Sequence, residues 1–191
     1  MQFPAEFPLI ETPQLVLRAF DLTDAPEVQR LAGAKEVARA TALIPHPYPD
    51  GAAEQWIASH PGEWAARRSL PLAVTRRNSG ALVGAMGLTF APEHRRAELG
   101  YWIGVPFWRN GFATEAAAAL TDYGFRVLGL NRVQAHHYAS NPVSGRVLLK
   151  IGMRREGLSP RMMLKDGRFE DVVFYGVLRR DWPGLDATAS G

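Results

Sequence analysis

Between Glu98 and Ala116 the chain reads ELGYWIGVPFWRNGFATEA, a strand pattern joined to a helix pattern through a loop centred on Gly111. Ala113 to Ala119 then reads as strong helix former, interrupted only by Thr114. A helix that opens from a glycine hinge leaves its first N–H groups without partners and pointing toward one spot. The helix dipole adds partial positive charge there. Such a joint suits a phosphate-bearing cofactor, although many strand–helix joints with one glycine bind nothing. The Lys-Ser/Thr ending of a P-loop is absent. Gly80, Gly84 and Gly87 lie in a turn and the strand after it and open no helix, so a dinucleotide fingerprint fits poorly.

With 191 residues the chain suits one domain, residues 1–183, and the small polar residues 184–191 are expected to form a disordered tail. No apolar run approaches the ~20 residues a membrane helix needs. The start, MQFPAEFPLIETP, lacks a basic region and a continuous apolar core, so it does not read as a secretory signal, and a cytoplasmic location is the default expectation. There is no cysteine, which removes disulfides, thiolate metal sites and a cysteine acyl-enzyme. Acyl transfer here cannot pass through a protein thiol, and direct attack of the acceptor on a bound thioester is the simplest route. The 22 basic and 19 acidic side chains are scattered and leave a net charge of +3, a mild bias that suits an anionic ligand. A nucleic-acid surface would show a basic stripe interleaved with aromatics, so no nucleic-acid partner is expected.

Residues 15–20 read as a first strand, and Asp24 as the N-cap of a helix to about Gly33. A proline-rich passage from Pro45 to Pro49 leads to a second helix over 51–67. Residues 72–76 and 81–90 flank Asn78-Ser79-Gly80 as a hairpin. A strand over 97–104 feeds the glycine-hinged helix, followed by a strand over 132–139 and a helix from Asn141 to Lys150 that stops at Gly152. Strands over 162–164 and 169–178 close the chain. This order makes a mixed α/β domain with helices on both faces of a sheet.

Trp108-Arg109-Asn110-Gly111-Phe112-Ala113 resembles the pyrophosphate loop of GNAT acetyltransferases, Gln/Arg-x-x-Gly-x-Gly/Ala, with Gly111 and Ala113 matching and Trp108 in the first position. Tryptophan there is familiar in the branch resembling ribosomal-protein N-terminal alanine/serine acetyltransferases. Further segments match that branch in order. Residues 11–18, ETPQLVLR, look like its opening strand, with Gln14 where arginine is usual. His46-Pro47-Tyr48-Pro49 looks like its lead into the second helix, and Asn141-Pro142-Val143-Ser144 with Lys150-Ile151-Gly152-Met153 like its Asn-x-x-Ser helix. The resemblance runs from about Thr12 to Trp182. It implies a mostly antiparallel central sheet and acetyl-CoA as co-substrate. The acceptor it implies is a primary amine, on a protein N-terminus or a small molecule, attacking directly in a ternary complex. An idle acyl-CoA-binding or sensing module on the same fold is the alternative. Relatives of this branch pair into dimers, and both a monomer and a homodimer stay open.

Deprotonating the amine and protonating the leaving thiolate set the search for side chains. Glu98, alone in an apolar strand before the loop, is the candidate base. Burial there would raise its pKa, and the competing reading is a structural ion pair with Arg95 or Arg96. Asn141 reads as an N-cap and Ser144 as a first-turn serine. The resemblance makes Asn141 a ligand of the pantetheine arm and Ser144 a hydroxyl beside the thioester sulfur that can protonate the thiolate. Tyr138 is the runner-up acid. The resemblance also assigns Ile103 to backbone contacts with pantetheine, at a splay near Gly104-Val105-Pro106. It assigns Arg109, Asn110, Gly111, Phe112, Ala113 and Thr114 to the pyrophosphate. His46, Tyr48 and Trp56, with residues 162–168, are the candidate acceptor lining. His136 and His137 are adjacent on a strand and face opposite sides, and His46, His60 and His94 lack ligand spacing, so no metal is expected.

Overall fold

In β2 (Leu15–Arg18) the two leucines are fully buried and Val16 and Arg18 half-covered, the period-two signature of a strand with one face in the core. The computed structural model describes residues 1–185. Around β2 run β1 (Ile10–Glu11), β3 (Ser69–Arg76), β4 (Leu82–Ala91), β5 (Arg96–Ile103), β6 (Arg132–Tyr138), β7 (Arg154–Lys165) and β8 (Arg168–Leu178). They form one sheet in the order β1-β2-β3-β4-β5-β6-β8-β7. Every neighbouring pair is antiparallel except β5 and β6, which the crossover through α4 (Phe112–Arg126) makes parallel.

Helices cover both faces. The alanine-rich α4 and α5 (Pro142–Lys150), with Ile151 just past the end of α5, pack Leu120, Phe125, Leu148 and Ile151 against Leu99, Ile103, Val133 and Tyr175 of the sheet. On the other face α1 (Ala25–Ala32), α2 (Lys35–Ala40) and α3 (Ala52–Ala65) bury Val28, Leu31, Val37 and Ile57 against Ala73, Ala85 and Trp102. Leu99 and Ile103 thus point to one face, and Trp102 to the other.

Several expectations need correction. Asp24 does not cap α1 through its side chain. Asp21 caps a short 3-10 turn (Leu22–Asp24) that runs into the helix, and the Asp24 carboxylate accepts from the Asp21 N–H and pairs with both terminal nitrogens of Arg18 at 2.7 and 2.8 Å. Two paired partners are a stronger use of that carboxylate than one capping bond. The six-residue α2 lies in the stretch the sequence leaves without a helix. The last hairpin begins at Arg154, not at Met162, because β7 is an edge strand whose charged first half carries no apolar alternation. Of the 184–191 tail, residues 186–191 lie outside the described residues.

His60 sits on α3 with 4% of its surface exposed, between the rings of Phe20 and Trp56 at 5.3 and 4.5 Å. Neither ring nitrogen has a partner among the described residues. Burial lowers its pKa from 6.5 to about 4, against a small opposing pull from Glu63. A folded pKa below the unfolded one means the unfolded chain binds the proton first, so stability is complete above about pH 6.5 and drains away toward pH 4. The expected loss between pH 7 and pH 5 is about 2 kcal/mol. Urea midpoints at the two values, compared with those of His60→Phe, check it, and the variant should lose most of this acid sensitivity.

Candidate active site

The loop before α4 begins with a short 3-10 turn (Val105–Phe107), after which Arg109 and Gly111 both take left-handed backbone angles, φ 65° and 79°. Asn110 stitches the loop to itself, its amide donating to the carbonyls of Phe107 and Trp108 at 3.1 Å each. The turn aims a row of donors outward. The N–H groups of Asn110, Gly111, Phe112, Ala113 and Thr114 find no acceptor among the described residues, and α4 has no side-chain cap. A Cβ at Gly111 would meet nothing within 4 Å. Unpaired amides, the positive end of a 15-residue helix and free space together fit a pyrophosphate. Glu115 points the other way and anchors the helix start, accepting from the Gln14 backbone N–H at 2.8 Å and its side-chain amide at 2.7 Å.

Beside this loop the sheet parts. β5 and β6 pair only at Arg96–Arg132, Ala97–Val133 and Glu98–Gln134, whereas β5 stays paired to β4 as far as Ile103. The splay therefore opens just past Glu98, several residues earlier than Gly104-Val105-Pro106 suggest. The Gly104 N–H donates to Val83 at 2.8 Å, so by alternation Tyr101 and Ile103 turn their backbone groups away from β4 and into the gap. The Ile103 carbonyl there accepts from the Trp108 indole at 2.6 Å, which ties the strand end to the loop.

Glu98 stands at the mouth of the gap on the face that carries Trp102, with 38% of its side chain exposed. It is neither deeply buried nor raised in pKa, contrary to expectation. Contact with His136, 2.9 Å from Nδ1 to Oε1, holds the carboxyl below its usual range, aided by Gln134, whose amide donates to Oε2 at 3.2 Å; burial opposes both. Arg95 instead bonds the Gly129 carbonyl. Arg96 donates to the Gln134 side-chain oxygen at 3.0 Å, and its positive charge adds weakly to the lowering at Glu98. Arg132 pairs with Glu156 across β8, where Gly176 makes the room: a Cβ there would lie 2.4 Å from the guanidinium. The sequence singles out His136 only as a possible metal ligand and Gln134 not at all, although the polar–apolar alternation Arg132-Val133-Gln134-Ala135-His136 marks one polar face of β6.

Ser144 lies on the opposite face. Helix α5 approaches β6 closely at Gly145, where a Cβ would come 2.6 Å from His137 Nε2 and 2.7 Å from the Tyr175 hydroxyl. Asn141 does not cap α5 with its side chain; its amide donates to Ser144 Oγ at 3.0 Å. The Tyr101 hydroxyl donates to the Ser144 backbone carbonyl at 3.3 Å, and burial pushes the phenol up to about 12, so it stays a neutral donor. Tyr138 shares the Glu98 face by alternation, away from Ser144, and burial raises its pKa. His136 meets Glu98, whereas His137 meets the Tyr138 carbonyl and Tyr175.

The candidate acceptor elements meet on the Glu98 face. Lys165 in the last hairpin donates to the Ile44 carbonyl at 2.7 Å and joins the two segments. Tyr48 packs its Cβ toward Gly33, His46 Nδ1 lies 3.0 Å from the Gly33 carbonyl, and Trp56 stacks edgewise with Phe20 and His60. Gly100, next after Glu98 on this face, is exposed, and a Cβ there would meet nothing within 4 Å. Among the described residues no three His, Asp or Glu side chains gather as a metal site, and no helix is long and apolar enough to cross a membrane.

Residues 14–154 match the acetyltransferase (GNAT) domain. The uncharacterized N-acetyltransferase YoaA of Bacillus subtilis is 33% identical over 174 residues, 91% of this chain and 98% of that one. The [ribosomal protein uS5]-alanine N-acetyltransferase of Escherichia coli is 33% identical over 87 residues, 45% of each chain. The fold matches that of Mycobacterium smegmatis RimJ, solved in complex with CoA-disulfide, at a TM-score of 0.86 and 24% identity over 97% of this chain and 94% of that one. With residues 14–154, most of the chain, matched to that domain, the chain belongs to the GNAT family of acetyl-CoA-dependent N-acetyltransferases.

Proposed function

We propose that this chain transfers the acetyl group of acetyl-CoA to a primary amine that attacks directly in a ternary complex at the gap between β5 and β6. The carrying observation is the arrangement of that gap. One face presents Ser144 and Asn141 and the other Glu98, while the free amides before α4 lie beside the gap. Two substrates can thus approach from opposite faces and meet where the strands part. Acetyl-CoA supplies the electrophilic acetyl carbonyl.

The chain's own groups do the rest. The amides of residues 110–114, with Arg109, hold the pyrophosphate. The free Ile103 N–H and the backbone of Tyr101 bond pantetheine as a strand would. Asn141 keeps Ser144 Oγ aimed, and Ser144 donates the proton the leaving thiolate needs. Glu98 supplies the negative charge on which deprotonation of the amine depends. His46, Tyr48, Trp56 and the last hairpin shape the acceptor side. The relative named for acetylating a ribosomal-protein alanine makes a peptide α-amine the first acceptor class to try. Its reference pKa, about 7.7–8.0 against about 10.4 for lysine, asks less of the base.

Initial rates with acetyl-CoA and an alanine-initiated peptide varied together test direct attack. Intersecting reciprocal lines are expected; parallel lines would mean a covalent acetyl-enzyme and would overturn it.

A further inference from the structure

The Glu98 carboxylate is poorly placed to be the proton acceptor itself. Its contact with His136 and the Gln134 amide keeps it ionised, and therefore weakly basic, at neutral pH. The same contact organises a better base. An ionised carboxylate can only accept hydrogen bonds, so the Nδ1 atom 2.9 Å from Oε1 must be the one that carries hydrogen. A neutral imidazole held this way has its lone pair on Nε2. That atom has no partner among the described residues, and 21% of the side chain is exposed.

The backbone puts the ring in the right place. The β5–β6 ladder ends at Glu98–Gln134, and His136 is the next residue of β6 on that face, the first one inside the gap. Its neighbours are Glu98 from β5, Phe174 from β8 with ring centroids 6.0 Å apart, and on β6 itself Gln134 and Tyr138. The nearby charges are already committed: Arg96 to Gln134, and Arg132 to Glu156 on β7.

We propose that His136 Nε2 takes the proton from the acceptor amine, and that Glu98 is the positioning residue that fixes the imidazole tautomer and stabilises the imidazolium. This assignment rests on the acetyl transfer proposed above. The ammonium nitrogen gives one proton to Nε2, directly or through a water, and keeps the electron pair. That pair forms the N–C bond to the acetyl carbon as the C–S bond breaks, with its electrons leaving on sulfur. Sulfur gains a proton through Ser144, the amide nitrogen sheds its second proton to solvent, and Nε2–H returns its own to solvent. Gln134, pinned by Arg96, positions Glu98 in turn.

Heteronuclear NMR of the imidazole nitrogens tests the assignment on the protein without any cofactor, with His136→Gln used to identify the signals. The expected result at neutral pH is hydrogen on Nδ1 and a bare Nε2, with that single tautomer giving way to a mixture in Glu98→Gln. In turnover His136→Gln should cost about 100- to 1,000-fold in kcat while acetyl-CoA affinity stays put. A neutral ring protonated on Nε2 overturns the proposal, and so does His136→Gln turnover within threefold of the parent. If the parent acetylates no amine at all, the acetyl-transfer reading falls, and the tautomer alone decides whether the Glu98–His136 pair is built as described.

Discussion

Gly111→Trp is expected to abolish saturable acetyl-CoA binding while leaving the fold intact. The position is exposed, and a Cβ meets no atom within 4 Å, so a side chain leaves the backbone there without a clash. Its backbone angle of 79° costs a non-glycine residue roughly 1–2 kcal/mol, a strain the chain already tolerates at Arg109. The room the indole takes is the space in front of five unpaired amides, and a group bound by those amides cannot share it. Gly111→Ala separates the two effects, because it carries the same backbone strain with almost none of the bulk. Isothermal titration should show the alanine variant within about tenfold of the parent, consistent with that strain alone, and the tryptophan variant without measurable heat. Equal losses in both would mean that strain, and not occupied space, decides binding.

The second large effect belongs to Glu98→Gln, an isosteric change that removes charge and little else. We expect kcat to fall about 100-fold with acetyl-CoA affinity unchanged, because Glu98 and Ser144 stand on opposite faces of the sheet. The pH dependence is informative as well. Contact with His136 lowers the Glu98 carboxyl in the folded chain, so its contribution to stability is present above the ordinary carboxylate range and is lost only as pH falls through the depressed value. A limb near neutral pH in the activity profile of the parent therefore cannot be the titration of Glu98. Stopped assays of thiol release across pH, run beside urea midpoints, separate the catalytic loss from any change in folding.

The cofactor loop was legible because its signals are local. A glycine that needs positive φ, followed by alanine-rich helix formers, announces a hinge and a helix start within a few residues of one another. The succession of most strands and helices along the chain followed from periodicity, the helix cover on both faces from that succession, and the mostly antiparallel sheet from the resemblance. What stayed hidden is nonlocal. The parting of β5 and β6 depends on where a parallel ladder ends, after a crossover through all of α4, and no residue near Glu98 records it. For the same reason Glu98 invited a pairing with adjacent Arg95 or Arg96, while its true partner sits on the next strand. Asn141 shows a subtler failure: the residue type suits an N-cap, but its side-chain nitrogen donates to the Ser144 hydroxyl and its side-chain oxygen caps no helical N–H. The first half of β7 was missed because an exposed edge needs no buried alternation.

Acetyl transfer to an amine at this gap is tested by thiol release from acetyl-CoA with a panel of amine acceptors. The panel should hold alanine- and serine-initiated peptides, lysine, a polyamine and an aminoglycoside. Release that depends on one acceptor class, matched by one acetylated amine per thiol and lost in Glu98→Gln, is the predicted result. Saturable acetyl-CoA binding with background release for every acceptor would contradict it and would describe a protein that binds the thioester without using it.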